Sequence, residues 1–365
     1  MISEGTFLTS GDLVGLEIKI PIAAMKLQEF QQYLNEKKIG LALFIHPDII
    51  ITYFTQLKPS YAYLVITPTT AAFYFTALDK KPALKGLAVR PLSKNWSKAY
   101  KRVHKIGINN RSLTVAQLER LKKIWPKATF VDVSLPLEQL RRQKTKEEVE
   151  KIQKACQITS TAFAALLREL PRRRLKTELD VVCFLEEQFR QQQAEPSFPT
   201  IVAMGRNAAI PHHIPDNTRL TKGFLVVDFG AKFQNYCADM TRTVYVGKPS
   251  SSERKLYFLL QQAQEDAIRA VEEGTSFTVL DKVARKRLGR YSSSFIHSLG
   301  HGIGLEVHEA PTFSDKKMKV QEQAVFTIEP GIYLPGKLGI RIEDTVVFDG
   351  KVKVLTSSPK ELICL

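Results

Sequence analysis

Acidic residues that directly follow strongly apolar segments are the feature that most restricts how this chain can fold. Asp228 follows Phe224-Leu-Val-Val, and Glu329 follows Val325-Phe-Thr-Ile. Short apolar runs rich in β-branched and aromatic residues are typical of buried strands, so each carboxylate is expected beside the core. An ionised carboxylate in that position is costly unless a cation or hydrogen bonds compensate its charge. The fold must therefore supply a partner to both acids.

A hairpin is predicted to bring a second acid next to Asp228. The turn signal Gln234-Asn235 lies between Asp228 and Asp239, and it predicts a second strand that returns antiparallel to the first. Such a hairpin places both carboxylates on one face. Two like charges held that close require a cation, so we interpret the pair as functional rather than as two ordinary strand-end acids.

The same arrangement is predicted around Glu329 and Glu343. Pro330-Gly331 ends the first strand, and Gly336-Lys337 suits a turn. In the returning strand the two isoleucines of Ile340-Arg-Ile-Glu343 alternate with Arg341 and Glu343, which therefore share the opposite face. Arg341 is thus expected in the same cavity, where it either contacts the substrate or forms a salt bridge that orients Glu343.

Histidines are concentrated between the two predicted pairs of acids. His297, His301 and His308 lie within twelve residues together with three glycines, which let the backbone approach a crowded centre. Further upstream, His212 and His213 follow a proline. Three histidines at this density are unlike isolated core histidines, and they indicate a site.

Charge balance among these residues predicts a site for two metal ions. Four ionised carboxylates carry a formal charge of −4, two divalent cations carry +4, and one neutral imidazole leaves the sum unchanged. Carboxylates with one imidazole form an oxygen-rich ligand set, which favours manganese, with cobalt, iron or zinc as alternatives. Two such ions can activate a water molecule and stabilise an oxyanion, so the predicted chemistry is hydrolysis of a polarised carbonyl.

Seven segments, in this order, resemble the pita-bread metallopeptidase family of prolidase, aminopeptidase P, methionine aminopeptidase and creatinase. They are Pro196-Ser-Phe-Pro-Thr-Ile-Val-Ala-Met-Gly205, Asn207-Ala-Ala-Ile-Pro-His212, Val227-Asp-Phe-Gly-Ala-Lys232, Cys237-Ala-Asp-Met-Thr-Arg-Thr243, His301-Gly-Ile-Gly-Leu-Glu-Val-His-Glu309, Thr327-Ile-Glu-Pro-Gly-Ile-Tyr333 and Gly339-Ile-Arg-Ile-Glu-Asp344. An ordered set of this kind is more specific than any single motif.

The resemblance implies a role for each candidate site residue. The implied metal ligands are Asp228, Asp239, His301, Glu329 and Glu343. Asp228, Asp239 and Glu343 would bridge or chelate the two ions, whereas the other two would complete one coordination sphere.

The resemblance also implies residues that act on the substrate. Glu329 would shuttle a proton from the attacking water to the leaving nitrogen. His212 and His308 would hold the substrate and steady the tetrahedral intermediate. Arg341 resembles an arginine that contacts the substrate or orders the site, and His213 and His297 are expected to be structural neighbours.

Two domains are expected, joined near residues 132–145. The first part alternates between predicted strands at 41–45, 49–53 and 61–66 and helices at 25–35 and 114–125, which favours an α/β domain. The second part opens on the capping box of Thr145 and Glu148, and its segregated helices and strand pairs favour an α+β domain. With the resemblance, we expect a creatinase/prolidase-type α/β domain at 1–133, a linker at 134–144 and a pita-bread catalytic domain at 145–365.

The N-terminal domain favours the prolidase and aminopeptidase P branch of the resembling family. That branch implies cleavage of the bond before proline, which lacks an amide N–H and has a fixed φ. It also implies a homodimer. Whether the substrate is an Xaa-Pro dipeptide or a longer peptide with proline in the second position stays open, and methionine aminopeptidase activity is an alternative.

The charge of the chain provides a different alternative. The formal net charge is +16, and the segment from Lys80 to Lys127 has 14 Lys and Arg and one acid, Glu119. Such a surface can attract nucleic acid or an acidic partner, so the alternative is a non-enzymatic pita-bread protein that binds one of these. The segment lacks a nucleic-acid motif or a regular aromatic series, so we interpret it as a solvated surface.

Compartment is inferred from the apolar segments and the cysteines. The first residues, MISEGTFLTSGDL, do not resemble a secretory signal, and no run approaches the roughly 20 apolar residues that span a bilayer. The four cysteines form no C-x-x-C pair, which favours reduced thiols. We therefore expect a cytoplasmic protein without a membrane partner.

Overall fold

The computed structural model describes residues 22–172 and 174–365. The segment 1–21, on which the compartment prediction partly depends, lies outside these residues. The first part of the chain contains helices α1 (Ile22–Glu36), α2 (Ile49–Thr55), α3 (Val115–Ile124) and α4 (Ser134–Arg142). Its strands are β1 (Leu41–Ile45), β2 (Ala62–Ile66), β3 (Ala71–Phe75), β4 (Ala88–Pro91), β5 (Lys105–Ile108) and β6 (Thr129–Asp132).

These six strands form one mixed sheet in the order β4-β3-β2-β1-β5-β6. Along β1 the buried side chains alternate between two cores: Leu41 and Leu43 pack with α3, whereas Ala42 and Phe44 pack with α1, α2 and α4. This period of two is that of a strand buried on both faces. The α/β prediction for this part is confirmed.

The predicted strand at 49–53 is wrong, because these residues form helix α2. Asp48 caps the helix by accepting a hydrogen bond from the backbone N–H of Ile50 at 3.0 Å. A short apolar run that is buried on all sides does not distinguish strand from helix by its periodicity. The cap at Asp48 is the local signal that favours the helix.

Residues 134–144, expected as a linker, contain helix α4. Leu137 and Leu140 of α4 are buried in a core that also includes Ile152 and Cys156 from the second part of the chain. The junction between the two parts is therefore packed.

The second part has four long helices and a larger set of short strands. The helices are α5 (Lys146–Glu169), α6 (Glu178–Gln191), α7 (Ser251–Arg269) and α8 (Phe277–Leu288). The predicted capping box of Thr145 and Glu148 is confirmed at the start of α5, with the Glu148 N–H donating to the Thr145 hydroxyl at 3.1 Å. Every described helix is too short or too polar to cross a membrane.

The strands of this part form four sheets. They are β7 (Glu195–Pro196), β8 (Ile201–Met204), β9 (Gly223–Phe229), β10 (Ala231–Phe233), β11 (Tyr236–Cys237), β12 (Met240–Val246), β13 (His301–Gly302), β14 (Glu309–Thr312), β15 (Val325–Ile328), β16 (Gly331–Leu334), β17 (Leu338–Arg341), β18 (Asp344–Phe348) and β19 (Val352–Val354). The sheet orders are β12-β9-β8, β11-β10-β7, β14-β13-β15-β18-β19 and β16-β17.

Two cores hold the helices against these sheets. α5 and α6 pack on β8, β9 and β12, whereas α7 and α8 pack on β15, β17 and β18. Asp228 near the end of β9, Glu329 after β15 and Glu343 before β18 line one cavity. This arrangement places these acids at one location.

Candidate metal centre

β9 and β12 hold the first pair of acids at adjacent positions. Asp228 of β9 lies opposite Thr241 of β12, and Asp239 lies two residues before Thr241. The chain turns at Gln234 and Asn235, whose φ angles are 46° and 73°. Two positive φ angles are characteristic of the type I′ turn, which joins antiparallel strands. The predicted hairpin is confirmed.

Two glycines let the backbone come close enough to build the centre. A Cβ atom on Gly230 would lie 1.8 Å from the carbonyl oxygen of Ala238, and one on Gly300 would lie 2.0 Å from that of Thr327. Both contacts are with backbone, so a side chain at either position would force the strands apart. Gly230 thus lets its backbone lie directly against Ala238 and Asp239.

The second pair of acids flanks the pairing of β15 with β18. Ile328 of β15 lies opposite Asp344 of β18. Glu329 directly follows Ile328 and Glu343 directly precedes Asp344, so the two acids lie at the same end of this strand pair. His301 begins β13, which pairs with β15 at the other side.

The predicted alternation at 340–343 is also confirmed. Ile340 and Ile342 are fully buried in the core beneath α7 and α8, whereas Arg341 and Glu343 line the cavity. The hairpin β16–β17 turns at Gly336, which has a φ angle of 70°. This hairpin pairs β17 with β16, whereas β15 pairs with β18, so the predicted return of the 340–343 strand against the 325–328 strand is wrong. Glu343 still lies on the cavity face with Arg341.

All five predicted ligand residues line one cavity. The Nε2 atom of His301 lies 3.6 Å from Oδ2 of Asp239 and 3.4 Å from Oε1 of Glu329. Ligand atoms of Asp239, His301 and Glu343 lie within 4.8 Å of one another. The fold thus gathers residues that are up to 115 positions apart in the sequence.

Three carboxylate oxygens in this cluster are buried without a hydrogen-bond partner among the described residues. They are Oδ1 of Asp228, Oδ1 of Asp239 and Oε1 of Glu343. Buried polar atoms are nearly always hydrogen-bonded, and an exception at a cluster of acids indicates a position for cations. The donor set of carboxylates and one imidazole therefore fits divalent metal ions.

The ionisation of the cluster is strongly perturbed. Burial and the negative charges of its neighbours raise the pKa of Asp239 well above its usual value, with Glu343 as the largest of those charges. Burial followed by the charge of Asp228 raises the pKa of Glu343 to about 8. The pKa of Glu329 is also raised well above its usual value, by burial and then by the charge of Glu343. Each acid disfavours ionisation of the others, which is the electrostatic reason why cations belong here.

His301 is arranged to present a neutral nitrogen to the acids. Burial, followed by the neighbouring His308, lowers the pKa of His301 to about 3. Its Nδ1 atom lies 3.2 Å from the carbonyl oxygen of Gly302, which accepts a hydrogen bond from the ring. This tautomer leaves the lone pair on Nε2, the atom that faces Asp239 and Glu329.

Arg341 pairs with Asp228, not with Glu343. Its guanidinium donates to Oδ2 of Asp228 at 2.5 Å, to the Thr241 hydroxyl at 3.0 Å and to the Tyr333 hydroxyl at 2.7 Å. The salt bridge to Glu343 considered above is therefore wrong. Since the three nitrogens are bonded within the protein, the geometry favours the site-ordering alternative for Arg341.

Thr241 and Tyr333 contribute to the centre and were not identified from the sequence. The Thr241 hydroxyl donates to Oε2 of Glu343 at 2.7 Å. The Tyr333 hydroxyl connects Arg341 to Nε2 of His297, which lies 2.8 Å away. Alternation along β12 from Asp239 was a signal that could have identified Thr241; nothing local distinguishes Tyr333.

His213 is held by a buried carboxylate, as expected for a structural neighbour. Its Nε2 atom lies 2.8 Å from Oε2 of Glu178. Glu178 also accepts hydrogen bonds from Asn207 and from the backbone N–H groups of Met204 and Asp216. Glu178, His213 and Asp216 are close enough to hold an ion, but the oxygens of Glu178 are already satisfied. We therefore assign this cluster to anchoring the loop.

The cavity above the acids has a volume of about 680 Å³. His212 and His308 line it and are exposed. Phe198, Pro199 and Phe313 supply apolar lining. Volume and lining are suited to a small peptide rather than to a single ion with water.

Comparison with known proteins agrees with this geometry. The model of metallopeptidase family M24 matches residues 150–349, and that of the creatinase/prolidase N-terminal domain matches residues 26–143. The chain is 34% identical to the Xaa-Pro dipeptidase of Pyrococcus furiosus, over 93% of this chain and 99% of that protein.

Solved structures agree in fold over nearly their whole length. The prolidase from Pyrococcus horikoshii OT3 is 32% identical with a TM-score of 0.86, over 93% of this chain and 100% of that chain. The X-Pro aminopeptidase from Thermotoga maritima MSB8 is 31% identical with a TM-score of 0.82, over 90% and 99% respectively.

Proposed function

The chain belongs to metallopeptidase family M24, and we propose that it is a two-metal peptidase that hydrolyses the peptide bond before proline. It has the fold expected from the sequence, a creatinase/prolidase-type α/β domain followed by a pita-bread catalytic domain. The observation that carries the proposal is the cluster of buried carboxylate oxygens without partners among the described residues, on the floor of a peptide-sized cavity. The names of the Pyrococcus and Thermotoga relatives support the Xaa-Pro substrate class.

The five predicted ligands are proposed to hold two divalent metal ions. Asp228, Asp239 and Glu343 would bridge or chelate them, and His301 and Glu329 would complete one coordination sphere. When bound, the ions would lower the pKa of a water molecule and stabilise negative charge on the scissile carbonyl oxygen. We propose manganese, with cobalt, iron and zinc as alternatives, because the ligand set is rich in oxygen.

Glu329 is the proposed proton shuttle. It would take a proton from the attacking water and deliver it to the leaving nitrogen of proline. Its carboxylate lies between two imidazoles, 3.4 Å from His301 and 3.9 Å from His297. Burial and the charge of Glu343 raise its pKa, which is the direction that suits a group that must carry a proton.

His212 and His308 are the proposed substrate-binding residues. Both line the cavity together with the carboxylates and can donate a hydrogen bond to a peptide carbonyl or to the oxyanion. Arg341 is proposed to order the site through Asp228, as its three hydrogen bonds support. The apolar lining near Phe198 and Phe313 would receive the proline ring.

A dipeptidase is proposed ahead of an aminopeptidase. The support is the Pyrococcus furiosus relative, an Xaa-Pro dipeptidase that this chain matches over 99% of its length. The X-Pro aminopeptidase from Thermotoga has a similar fold, so the assay below includes longer peptides. The non-enzymatic alternative and the methionine aminopeptidase alternative are not favoured, because all five ligand positions are filled and the named relatives act on Xaa-Pro.

Domain boundaries, assembly and compartment complete the proposal. We propose the domains at 1–133 and 145–365 that the sequence predicts, and the two family matches support a junction between them because they are separated by residues 144–149. We also propose a homodimer, which light scattering of the purified protein would test. A cytoplasmic location is supported by the four free cysteines.

The function is tested by one comparison of substrates. Purified protein loaded with Mn²⁺ or Co²⁺ is assayed on Xaa-Pro, Xaa-Pro-Yaa and Xaa-Ala-Yaa peptides, with an EDTA-treated control. Hydrolysis of Xaa-Pro that is lost on chelation is expected. Activity that survives chelation, or that shows no preference for proline, contradicts the proposal.

The ligand assignment is tested by Asp239→Asn. We expect it to abolish metal-dependent turnover and to lower the bound metal, because a carboxamide does not supply the negative charge. Asp349→Asn is the control, since Asp349 is a partly exposed acid that pairs with Lys353 and does not line the cavity. Turnover by Asp239→Asn equal to that of the control would refute the assignment.

A further inference from the structure

A second buried cluster of charges lies at the junction of the two parts of the chain. Arg141 and Lys144 are 8% and 3% exposed. Arg141 donates to Oε2 of Glu306 at 2.7 Å and to Oε2 of Glu309 at 2.5 Å, whereas Lys144 donates to Oε1 of Glu309 at 2.7 Å. Both oxygens of Glu309 are therefore held by cations.

The two cations are themselves fixed in place. Arg141 lies in the last turn of α4. The ammonium group of Lys144 donates to the carbonyl oxygen of Arg141 at 2.7 Å. The backbone N–H of Lys144 donates to the carbonyl oxygen of Gln323 at 2.9 Å. The cluster thus connects the helix between the two domains to the catalytic domain.

The loop that ends at Glu309 is folded around this carboxylate. The backbone N–H of Glu306 donates to Oε2 of Glu309 at 3.2 Å. A Cβ atom on Gly304 would lie 2.4 Å from Oε1 of Glu309, so a glycine leaves the space that the carboxylate occupies. The loop from Gly304 to Glu309 therefore takes its shape from the position of Glu309.

His308 immediately precedes Glu309 and faces the cavity. Its ring centroid lies 4.1 Å from that of His301. Within the two described stretches of the chain, the His308 ring has no hydrogen-bond partner of its own, and the residue is exposed. The location of such a ring depends on the backbone that carries it, and here that backbone is held at the next residue.

We propose that Arg141 and Lys144 are positioning residues that fix His308 in the cavity. They touch neither the acids of the metal centre nor the space above them, and they act through the carboxylate of Glu309. The inference rests on the proposed function in one respect, namely that His308 contacts the substrate. In this proposal α4 and the junction position a residue of the cavity in addition to joining the two domains.

The first test compares variants at Lys144 in the metal-loaded enzyme. Lys144→Met keeps the length of the side chain and removes its charge, whereas Lys144→Arg keeps the charge. Displacing a substrate-binding group by about 1 Å costs on the order of 10²-fold in rate, so a loss of that size in kcat/KM is expected for Lys144→Met. Lys144→Arg should recover most of it, and bound metal should equal that of the wild type in both.

Arg111→Gln is the matched control. Arg111 lines the same cleft between the domains, but it pairs with the neighbouring Glu138 and not with the loop that carries His308. We expect its kcat/KM to equal that of the wild type. An equal loss in Arg111→Gln and Lys144→Met would mean that the cleft as a whole matters, and the proposal would be overturned.

A double-mutant cycle separates positioning from a merely structural role. If Lys144 acts through His308, then Lys144→Met lowers kcat/KM by less than about twofold once His308→Ala is present. Effects that multiply in the double variant overturn the proposal. Should Lys144→Met not fold, Arg141→Lys and Glu309→Gln, which keep size and most hydrogen bonds, are used in the same cycle.

An activity-independent measurement distinguishes failure of this inference from failure of the proposed function. The imidazole ¹⁵N resonances of the zinc-loaded protein are compared between the wild type, Lys144→Met and Arg111→Gln, with His308 assigned from His308→Ala. A shifted His308 signal in Lys144→Met alone is expected. An unshifted signal overturns the inference even if Xaa-Pro peptides are cleaved, and absence of cleavage by the wild type refutes only the function.

Discussion

Replacing one ionisable carboxyl group of the metal cluster by a neutral amide is expected to stabilise the metal-free protein. Glu343 is 1% exposed, and burial and the charge of Asp228 raise its pKa from 4.5 to about 8. A carboxyl group whose pKa is raised by folding binds a proton in the folded state that the unfolded state has released. Its contribution to stability is present below pH 4.5 and is lost as the pH rises towards 8.

The size of the effect follows from that shift. Between pH 4.5 and pH 7, an interval of about 2.5 pH units, Glu343 is ionised in the unfolded state but protonated in the folded state. Each pH unit in this interval lowers the free energy of unfolding by about 1.4 kcal/mol. The penalty is therefore about 3–4 kcal/mol. Glu343→Gln removes it while the side-chain oxygen can still accept the hydrogen bond from Thr241. We expect a net gain of about 1–3 kcal/mol in EDTA at pH 7, because the new amide hydrogens need partners.

Thermal unfolding at a fixed scan rate measures this gain. In EDTA the Tm of Glu343→Gln should exceed that of the wild type at pH 7, and the difference should shrink at pH 5. With saturating Mn²⁺ the order should reverse, because ligand binding stabilises the protein that binds more tightly.

Glu309→Gln is the matched control for this measurement. Burial alone would raise the pKa of Glu309, but the charges of Lys144 and Arg141 outweigh it and lower the pKa. This variant should therefore lose stability with and without metal. A Glu343→Gln protein that is less stable than the wild type in EDTA at pH 7 would refute the reasoning.

Three further outcomes are expected. Asp344→Asn leaves the buried Arg242 without its charge partner at 2.7 Å, so we expect a loss of about 3–5 kcal/mol by denaturant unfolding; less than about 1 kcal/mol would contradict a buried ion pair. His212→Ala should lower kcat/KM by about 10²–10³-fold with bound metal unchanged, since a donor to the oxyanion is lost; metal loss measured by mass spectrometry would assign it a different role. Gly230→Ala should weaken Mn²⁺ binding in calorimetry, because its Cβ would meet the carbonyl oxygen of Ala238; unchanged affinity would show that the strands can separate freely.

Local patterns were sufficient to predict the strands and turns that carry the acids. The turn at Gln234-Asn235, the alternation from Ile340 to Glu343 and the capping box at Thr145 are each determined by residues within a few positions of one another. Periodicity, turn chemistry and helix capping act over that range. The local patterns do not show that the acids share one site. That prediction came from the charge balance between four carboxylates and two divalent ions.

Partners that are distant in sequence could not be predicted in the same way. Arg341 bonds to Asp228, which is 113 positions away, rather than to the nearby Glu343. Alternation determines the face on which Arg341 lies, but not which of the acids on that face it reaches. The helix at 49–55 was missed for a related reason, since burial on every side removes the polar positions that reveal a period.

His212 and His308, the proposed substrate-binding histidines, illustrate how an exposed group can be held by a buried one. His212 and His308 are exposed, but the residue after each is anchored, His213 by the carboxylate of Glu178 and Glu309 by two cations. An exposed ring gains little from packing, whereas a buried ion pair or a fully hydrogen-bonded carboxylate holds its backbone strongly because breaking it leaves a charge uncompensated. If His212 and His308 bind the substrate as proposed, the position of each ring in the cavity is set by the anchored residue that follows it.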